Sequence, residues 1–198
     1  FAAAIVIGIT IHEFAHALTA ARLGDPTARL AGRLTLNPIA HLDPFGTLMI
    51  ILVGIGFGKP TPFDPFNLKN PKRDSALISV SGAMSNLILA LLLSIPYQIA
   101  YFTHSLSPTV AELYSYLSIA IFLNIILALF NLIPIAPLDG FKVLGGLLPK
   151  EWYKDWQQME RYGPFILFSL ILLNFFGFPL LSSIIFTPAE KIMSFLLP

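Results

Sequence analysis

His12-Glu13-Phe14-Ala15-His16 carries the side chains of a metal-dependent hydrolase at helical spacing. On a helix, positions i and i+4 share a face, so His12 and His16 can hold one metal ion between them. Glu13 follows the first histidine and can reach a water on that metal. Zinc lowers the pKa of bound water to about 7, and a nearby carboxylate can take its proton. The setting is unusual, because the motif lies inside an apolar run over residues 1–23. An ionisable group in a bilayer core costs roughly 2.5–3.5 kcal/mol on insertion scales. A single histidine there would read as a packed, hydrogen-bonded side chain. Two histidines and a glutamate in one such segment point to function.

The elements that must position these residues are set by composition. The chain has 198 residues, 56% hydrophobic and 12% charged, with mean hydropathy +0.76. A soluble domain carries roughly 25% charged residues. The expected fold is an all-α polytopic membrane protein, a bundle of about four to five transmembrane helices in a cell membrane. It reads as a single membrane-embedded domain over 1–198, with a core over 1–148 and a C-terminal helical segment over 149–198. There is no cysteine, which excludes disulfides, a thiolate nucleophile and cysteine-ligated zinc. No glycine-rich phosphate loop and no basic run with interleaved aromatics is present, so nucleic acid is not an expected partner. The run 1–23 has no basic leading region and no convincing cleavage site, and it reads as a retained helix rather than a signal peptide.

Gly24-Asp25-Pro26 ends the first span, because glycine stops a helix and proline cannot continue it. Residues 28–36 alternate in strand fashion, predicting a short strand or β hairpin at the membrane edge, or else a polar connector, before Asn37-Pro38 breaks it. Its free edge could pair with an extended substrate. Residues 45–57 are apolar but too few to span, which predicts a re-entrant or tilted segment. A proline-rich loop follows over 58–73. Residues 74–100 form a second span, with Asp74 and Ser75 suited to its cap. Its cluster of small residues, Ser79, Ser81, Gly82, Ala83 and Ser85, reads as helix packing, and Asn86 is expected to face the bundle interior. A third span over 113–133 ends where Pro134 and Pro137 must disrupt the helix. Broken backbone at membrane depth needs protein or a cavity to receive it, so Asp139 is presented in a buried place. Trp152, Tyr153, Trp156 and Tyr162 fit an interfacial belt. Residues 163–186 form a kinked span or a hairpin broken at Gly177-Phe178-Pro179.

Two histidines from one helix need at least one more protein ligand. The candidates are Asp25, His41, Asp43, Asp64, Asp74, His104 and Asp139. Asp25, Asp64 and Asp74 are better used in turns and caps. His104 falls on the opposite side of the membrane. Asp139 is apolar-flanked and on the correct side, and it ranks first, with the pair His41 and Asp43 left open behind it. The side follows from charge. Arg22, Arg29, Arg33, Lys59, Lys69, Lys72 and Arg73 lie between the first two spans, and Lys142, Lys150, Lys154 and Arg161 follow the third. The positive-inside rule puts these residues, and the active site near them, toward the cytoplasm. Asn131 shares a helix face with Asn124. It could hydrogen-bond substrate backbone or a developing oxyanion, or equally make an interhelical bond.

These residues carry a resemblance to a known family. The chain resembles the site-2 protease family of intramembrane zinc metalloproteases, and most of all its short prokaryotic branch without PDZ or CBS domains. The likeness runs from Ile5 to about Leu148. It passes through His12 to His16, Gly24 to Arg29, Gly32 to Pro38, His41 to Thr47, Asn70 to Asp74, Ser81 to Asn86, Asn131 to Pro134 and Pro137 to Gly140. The resemblance implies that His12, His16 and Asp139 bind one Zn2+ per chain, that Glu13 activates water, and that Asn131 assists near the scissile peptide. It implies a transmembrane protein substrate cut in or near the lipid bilayer. Ala83 stands where the family more often has proline, and Phe141 where a small residue is common. Neither touches an implied ligand. A membrane scaffold without catalysis and a hydrolase acting on lipid are the rival functions. The intact Glu13 argues against the first, and the alternating 28–36 stretch against the second.

Overall fold

The computed structural model describes residues 1–53, 58–102 and 108–197. Three of its helices are long and apolar enough to cross a membrane: α1 (Ala2–Arg22), and within α4 (Pro71–Phe102) and α5 (Pro108–Asn131) the stretches Pro71–Ile99 and Glu112–Asn131. A fourth crossing is counted if the bent pair Lys150–Phe175 and Leu180–Leu196 forms one span, with an 83° bend between its halves. The protein is therefore an all-α, multi-pass membrane protein, and its described residues hold three or four candidate spans where about four to five were expected. Ile88, Leu91, Leu92, Ile95 and Ile99 of α4 stay exposed on the outer side of the bundle. Such a continuous apolar face suits lipid and would be a liability in water.

The expected β hairpin is not there. Residues 28–36 start with a helical turn, α2 (Thr27–Leu30), followed by Gly32 at φ +69°. Asp25 overrides the alternation. Its carboxylate accepts from Thr27 N at 3.0 Å and from Thr27 Oγ1 at 2.5 Å, a local turn about Pro26 that leads into the helix. A strand also needs a partner, and among the described residues the one β-type contact is an isolated antiparallel bridge, Leu42 to Gly58. That bridge, with Lys59 N donating to His41 O at 2.8 Å, makes the chain return at 58 to where it left at 42. Between them α3 (Pro44–Val53) is helical; residues 54–57 of the expected re-entrant segment lie outside the described residues.

α4 is the central element and packs against α1, α5 and α6 (Asp139–Leu147). It starts at Pro71, three residues before the expected cap, because Asn70 opens it. Asp74 lies in the first turn and reaches back to accept from Asn70 N at 2.9 Å. α5 ends at Asn131, and the chain unwinds over 132–138 before α6 begins on Asp139. Gly140 permits this: a Cβ there would lie 2.2 Å from Leu132 O. α6 is held on α4 at its far end, where Gly146 packs on Ala76 and Lys72 Nζ donates to Leu148 O. α7 (Lys150–Met159) covers α6 through Trp156, which stacks on Phe141 and donates Nε1–H to Phe141 O at 2.9 Å. α8 (Gly163–Phe175) and α9 (Leu180–Leu196) close the bundle. Leu181 and Ile185 pack on Ile133 and Leu138 at the break, and Ala189 and Leu196 pack on Ala90, Ile121 and Ile125.

Candidate metal centre

α1 presents His12 and His16 one turn apart with ring centroids 4.5 Å apart, and both are buried. Each ring is held by its Nδ1. His16 Nδ1 lies 2.7 Å from Ile78 O, which can only accept, so that nitrogen carries the proton. His12 Nδ1 lies 2.7 Å from Asn86 Oδ1. The Asn86 amide nitrogen donates to Gly8 O at 3.0 Å and Asn124 Oδ1 at 2.9 Å, so its oxygen is the acceptor and His12 Nδ1 is also the donor. With Nδ1 committed as a donor, each ring turns its Nε2 inward, the nitrogen that can ligate a metal. There they meet Asp139 Oδ2, at 3.0 Å from His12 and 3.1 Å from His16.

Two imidazole nitrogens and a carboxylate oxygen that converge within 4.8 Å of one another can hold a single cation. The donor set, two imidazoles and one carboxylate, is that of a zinc site with a further position open to water or substrate. The outer hydrogen bonds to Nδ1 are those that fix tautomer and orientation in such sites. Gly82 of α4 faces both rings, and a Cβ there would lie 2.5 Å from His16 Nε2 and 2.6 Å from His12 Nε2. The absence of a side chain at Gly82 is thus a requirement of this cluster. His12, His16 and Asp139 fit the metal.

Glu13 lies in the same cavity, which has a volume of about 320 Å³. Its Oε2 accepts from Thr61 N at 2.7 Å, and its backbone carbonyl accepts from Thr61 Oγ1 at 3.0 Å. Two buried ionic groups hold the loop carrying Thr61. Arg33 donates Nη1 to Lys59 O at 3.1 Å and to Ala40 O, and Nη2 to Pro60 O at 3.3 Å. Asp25 accepts from Asp64 N and Asn67 Nδ2, each at 2.8 Å. Burial works to raise the Asp25 pKa, but the hydrogen bonds from Thr27, Asn67 and Asp64 outweigh it and hold the carboxyl below its ordinary value.

The alternative third ligands are elsewhere. His41 is fully buried with Nε2 donating to Thr35 O at 2.8 Å, and Asp43 caps α3 by accepting from Gly46 N at 2.8 Å. Asp64 accepts from Phe66 N at 2.9 Å. His104 lies outside the described residues. Asn131 lines the cavity and donates one amide N–H to Leu127 O of its own helix at 2.9 Å. Sequence reasoning assigned no role at this cluster to Asn86, Gly82, Ile78 and Thr61. Only Asn86 carries a signal, as an amide in an apolar span, where polar side chains seek a specific partner. A glycine, a backbone carbonyl and a loop amide carry none.

An apolar bundle with this histidine pair in its first span defines a class, the multi-pass membrane metalloproteases. The chain belongs to peptidase family M50, the site-2 protease family, whose members are zinc-dependent. The family's sequence model matches residues 96–173, the part that holds Asn131 and Asp139. The chain is 41% identical over 175 residues to YwhC of Bacillus subtilis, provisionally named a zinc metalloprotease, across 87% of this chain and 80% of YwhC. It is 30% identical over 172 residues to Rip2 of Mycolicibacterium smegmatis, which bears the same provisional description, across 84% of this chain and 64% of Rip2. Rip2 of Mycobacterium tuberculosis H37Rv, described likewise, is 31% identical across 84% of this chain and 63% of its own length. No solved structure matches the chain.

Proposed function

We propose that the chain is an intramembrane zinc endopeptidase that cuts a peptide bond in or near a transmembrane segment of another membrane protein. One observation carries the reading: His12 Nε2, His16 Nε2 and Asp139 Oδ2 converge from α1 and α6, with both Nδ1 atoms already committed as donors. In this reading they hold one zinc, and the chain works as a single membrane-embedded unit. Bound there, zinc supplies a Lewis acid that polarises a peptide carbonyl and acidifies a water.

The chain's own groups do the rest. Glu13 Oε2 is fixed by the Thr61 amide, which leaves Oε1 to take a proton from the attacking water and deliver it to the departing amine. Asn131 keeps one amide N–H beyond the bond to Leu127 O, and it positions the substrate backbone at the rim of the helix break. His16 lies six residues before the end of α1, about 9 Å along the helix, so cleavage occurs inside the apolar layer near one surface. The basic residues that end and follow α1 and those that follow α5 favour the cytoplasmic side of a cell membrane for that surface. A carbonyl inside a helix is hydrogen-bonded within the helix and shielded from attack. The substrate therefore enters as unwound chain, and helix-breaking residues in its span favour cleavage.

The test is metal content of detergent-purified protein, parent beside His16→Ala and Asp139→Ala, with cleavage of a single-span fusion substrate followed for the parent and Glu13→Gln. One zinc per chain, lost in both ligand variants, is expected, together with a Glu13→Gln variant that keeps zinc and loses cleavage. Full zinc in Asp139→Ala, or parent-like cleavage by Glu13→Gln, would refute the assignment.

A further inference from the structure

Ser79 stands on α4 one turn before Gly82, so both residues face the histidine cluster. It lines the same cavity as Glu13 and Asp139 and is only 1% exposed. Its hydroxyl has no hydrogen-bond partner among the described residues. Three other serines of this helix behave differently. Ser81 donates to Ile78 O at 2.6 Å, Ser85 to Gly82 O at 2.7 Å and Ser94 to Leu91 O at 2.8 Å. A helical serine can thus satisfy itself on its own backbone, and Ser79 does not. Buried polar groups are nearly always paired, and an exception calls for a physical explanation.

Among the described residues, no acceptor already present in the cavity takes the Ser79 hydrogen. Asp139 Oδ2 faces the two imidazoles, and Glu13 Oε2 holds the Thr61 amide. An acceptor that arrives with substrate can take that hydrogen. We propose that Ser79 is a catalytic hydrogen-bond donor whose O–H is reserved for the carbonyl oxygen of the scissile peptide. This inference rests on the protease reading above. During hydrolysis the water oxygen bonds to the carbonyl carbon, the C–N bond breaks, and the water proton travels through Glu13 to the amine. Negative charge builds on the carbonyl oxygen while the new bond forms. A donor preset at that oxygen binds the transition state more tightly than the ground state.

The test compares the parent with Ser79→Ala on a single-span fusion substrate carrying an Asn-Pro break in its span, with zinc content and thermal unfolding measured on the same preparations. Loss of one preset donor predicts kcat lower by roughly 10²–10³-fold with KM little changed. Removing an unpaired buried hydroxyl predicts no loss of stability in the resting protein, and a Tm unchanged or raised by about 2–4 °C. Zinc stays at the parent level. An active parent with an equally fast Ser79→Ala variant overturns the Ser79 assignment and leaves the protease reading standing. A Ser79→Ala variant that sheds zinc or loses several degrees of Tm also overturns it, because the hydroxyl is then structural. A folded, zinc-loaded parent that does not cut the substrate overturns the protease reading, and the Ser79 assignment falls with it.

Discussion

Replacing Asn86 separates orientation of the histidines from stability of the bundle. Asn86 is fully buried and joins three helices, accepting from His12 Nδ1 of α1 and donating to Gly8 O of α1 and Asn124 Oδ1 of α5. In Asn86→Ala the His12 N–H and Asn124 Oδ1 are both left buried without these partners. Each orphaned group costs about 1–3 kcal/mol, so a destabilisation of roughly 2–6 kcal/mol is expected. Against a typical total of about 5–15 kcal/mol the variant sits near the edge of folding. Loss of an outer-shell partner also weakens zinc affinity about 10–100-fold. Asn86→Asp divides the two effects. Its carboxylate still accepts from His12 Nδ1, and zinc affinity is retained, yet it repels Gly8 O and Asn124 Oδ1, and stability falls. The assay is zinc competition against a chelator of known affinity, with thermal unfolding of the same samples. Zinc affinity unchanged in Asn86→Ala, or lost equally in the alanine and aspartate variants, would refute the assigned role of the His12 to Asn86 bond.

Gly82→Ala introduces a Cβ that would lie within 2.6 Å of both Nε2 atoms, so at least tenfold weaker zinc binding with helical content intact is expected by metal analysis and circular dichroism. Arg33→Met frees the Lys59-Pro60 carbonyls and with them the Thr61 amide that fixes Glu13; about tenfold slower cleavage at full zinc occupancy is the expected result, and loss of zinc instead would place Arg33 in support of the metal site. Asp25 has a lower pKa folded than unfolded, so its hydrogen bonds stabilise the protein above the ordinary value of 3.8 and that contribution disappears as the pH falls below it. Unfolding measured from pH 7 to pH 3 should therefore show a steeper acid loss of stability in the parent than in Asp25→Asn, and parallel curves would count against the Asp25 hub.

Local spacing and composition were enough for much of this protein. The i, i+4 histidines need only a helix, and a helix is what an unbroken apolar run forms where no water can satisfy its backbone. Pro134 and Pro137 announce a break for the same local reason, since a missing N–H and a locked φ cannot be repaired nearby. The alternating 28–36 stretch misled because alternation becomes a strand only with a partner. Asp25 instead captured Thr27 and made a helical turn, a choice that depends on Asp64 and Asn67 arriving from some forty residues away. Charge along the chain could rank Asp139 first among the third ligands, but it could not show that one oxygen meets both imidazoles. That meeting depends on α6 lying against α4, through Gly146 on Ala76 and Gly140 under Leu132 O. The tautomers of His12 and His16, the need for a bare backbone at Gly82 and the unpaired hydroxyl of Ser79 are likewise products of α1 packing on α4. Hydrogen-bond direction and steric room are properties of neighbours in space, so only the tertiary structure could decide them.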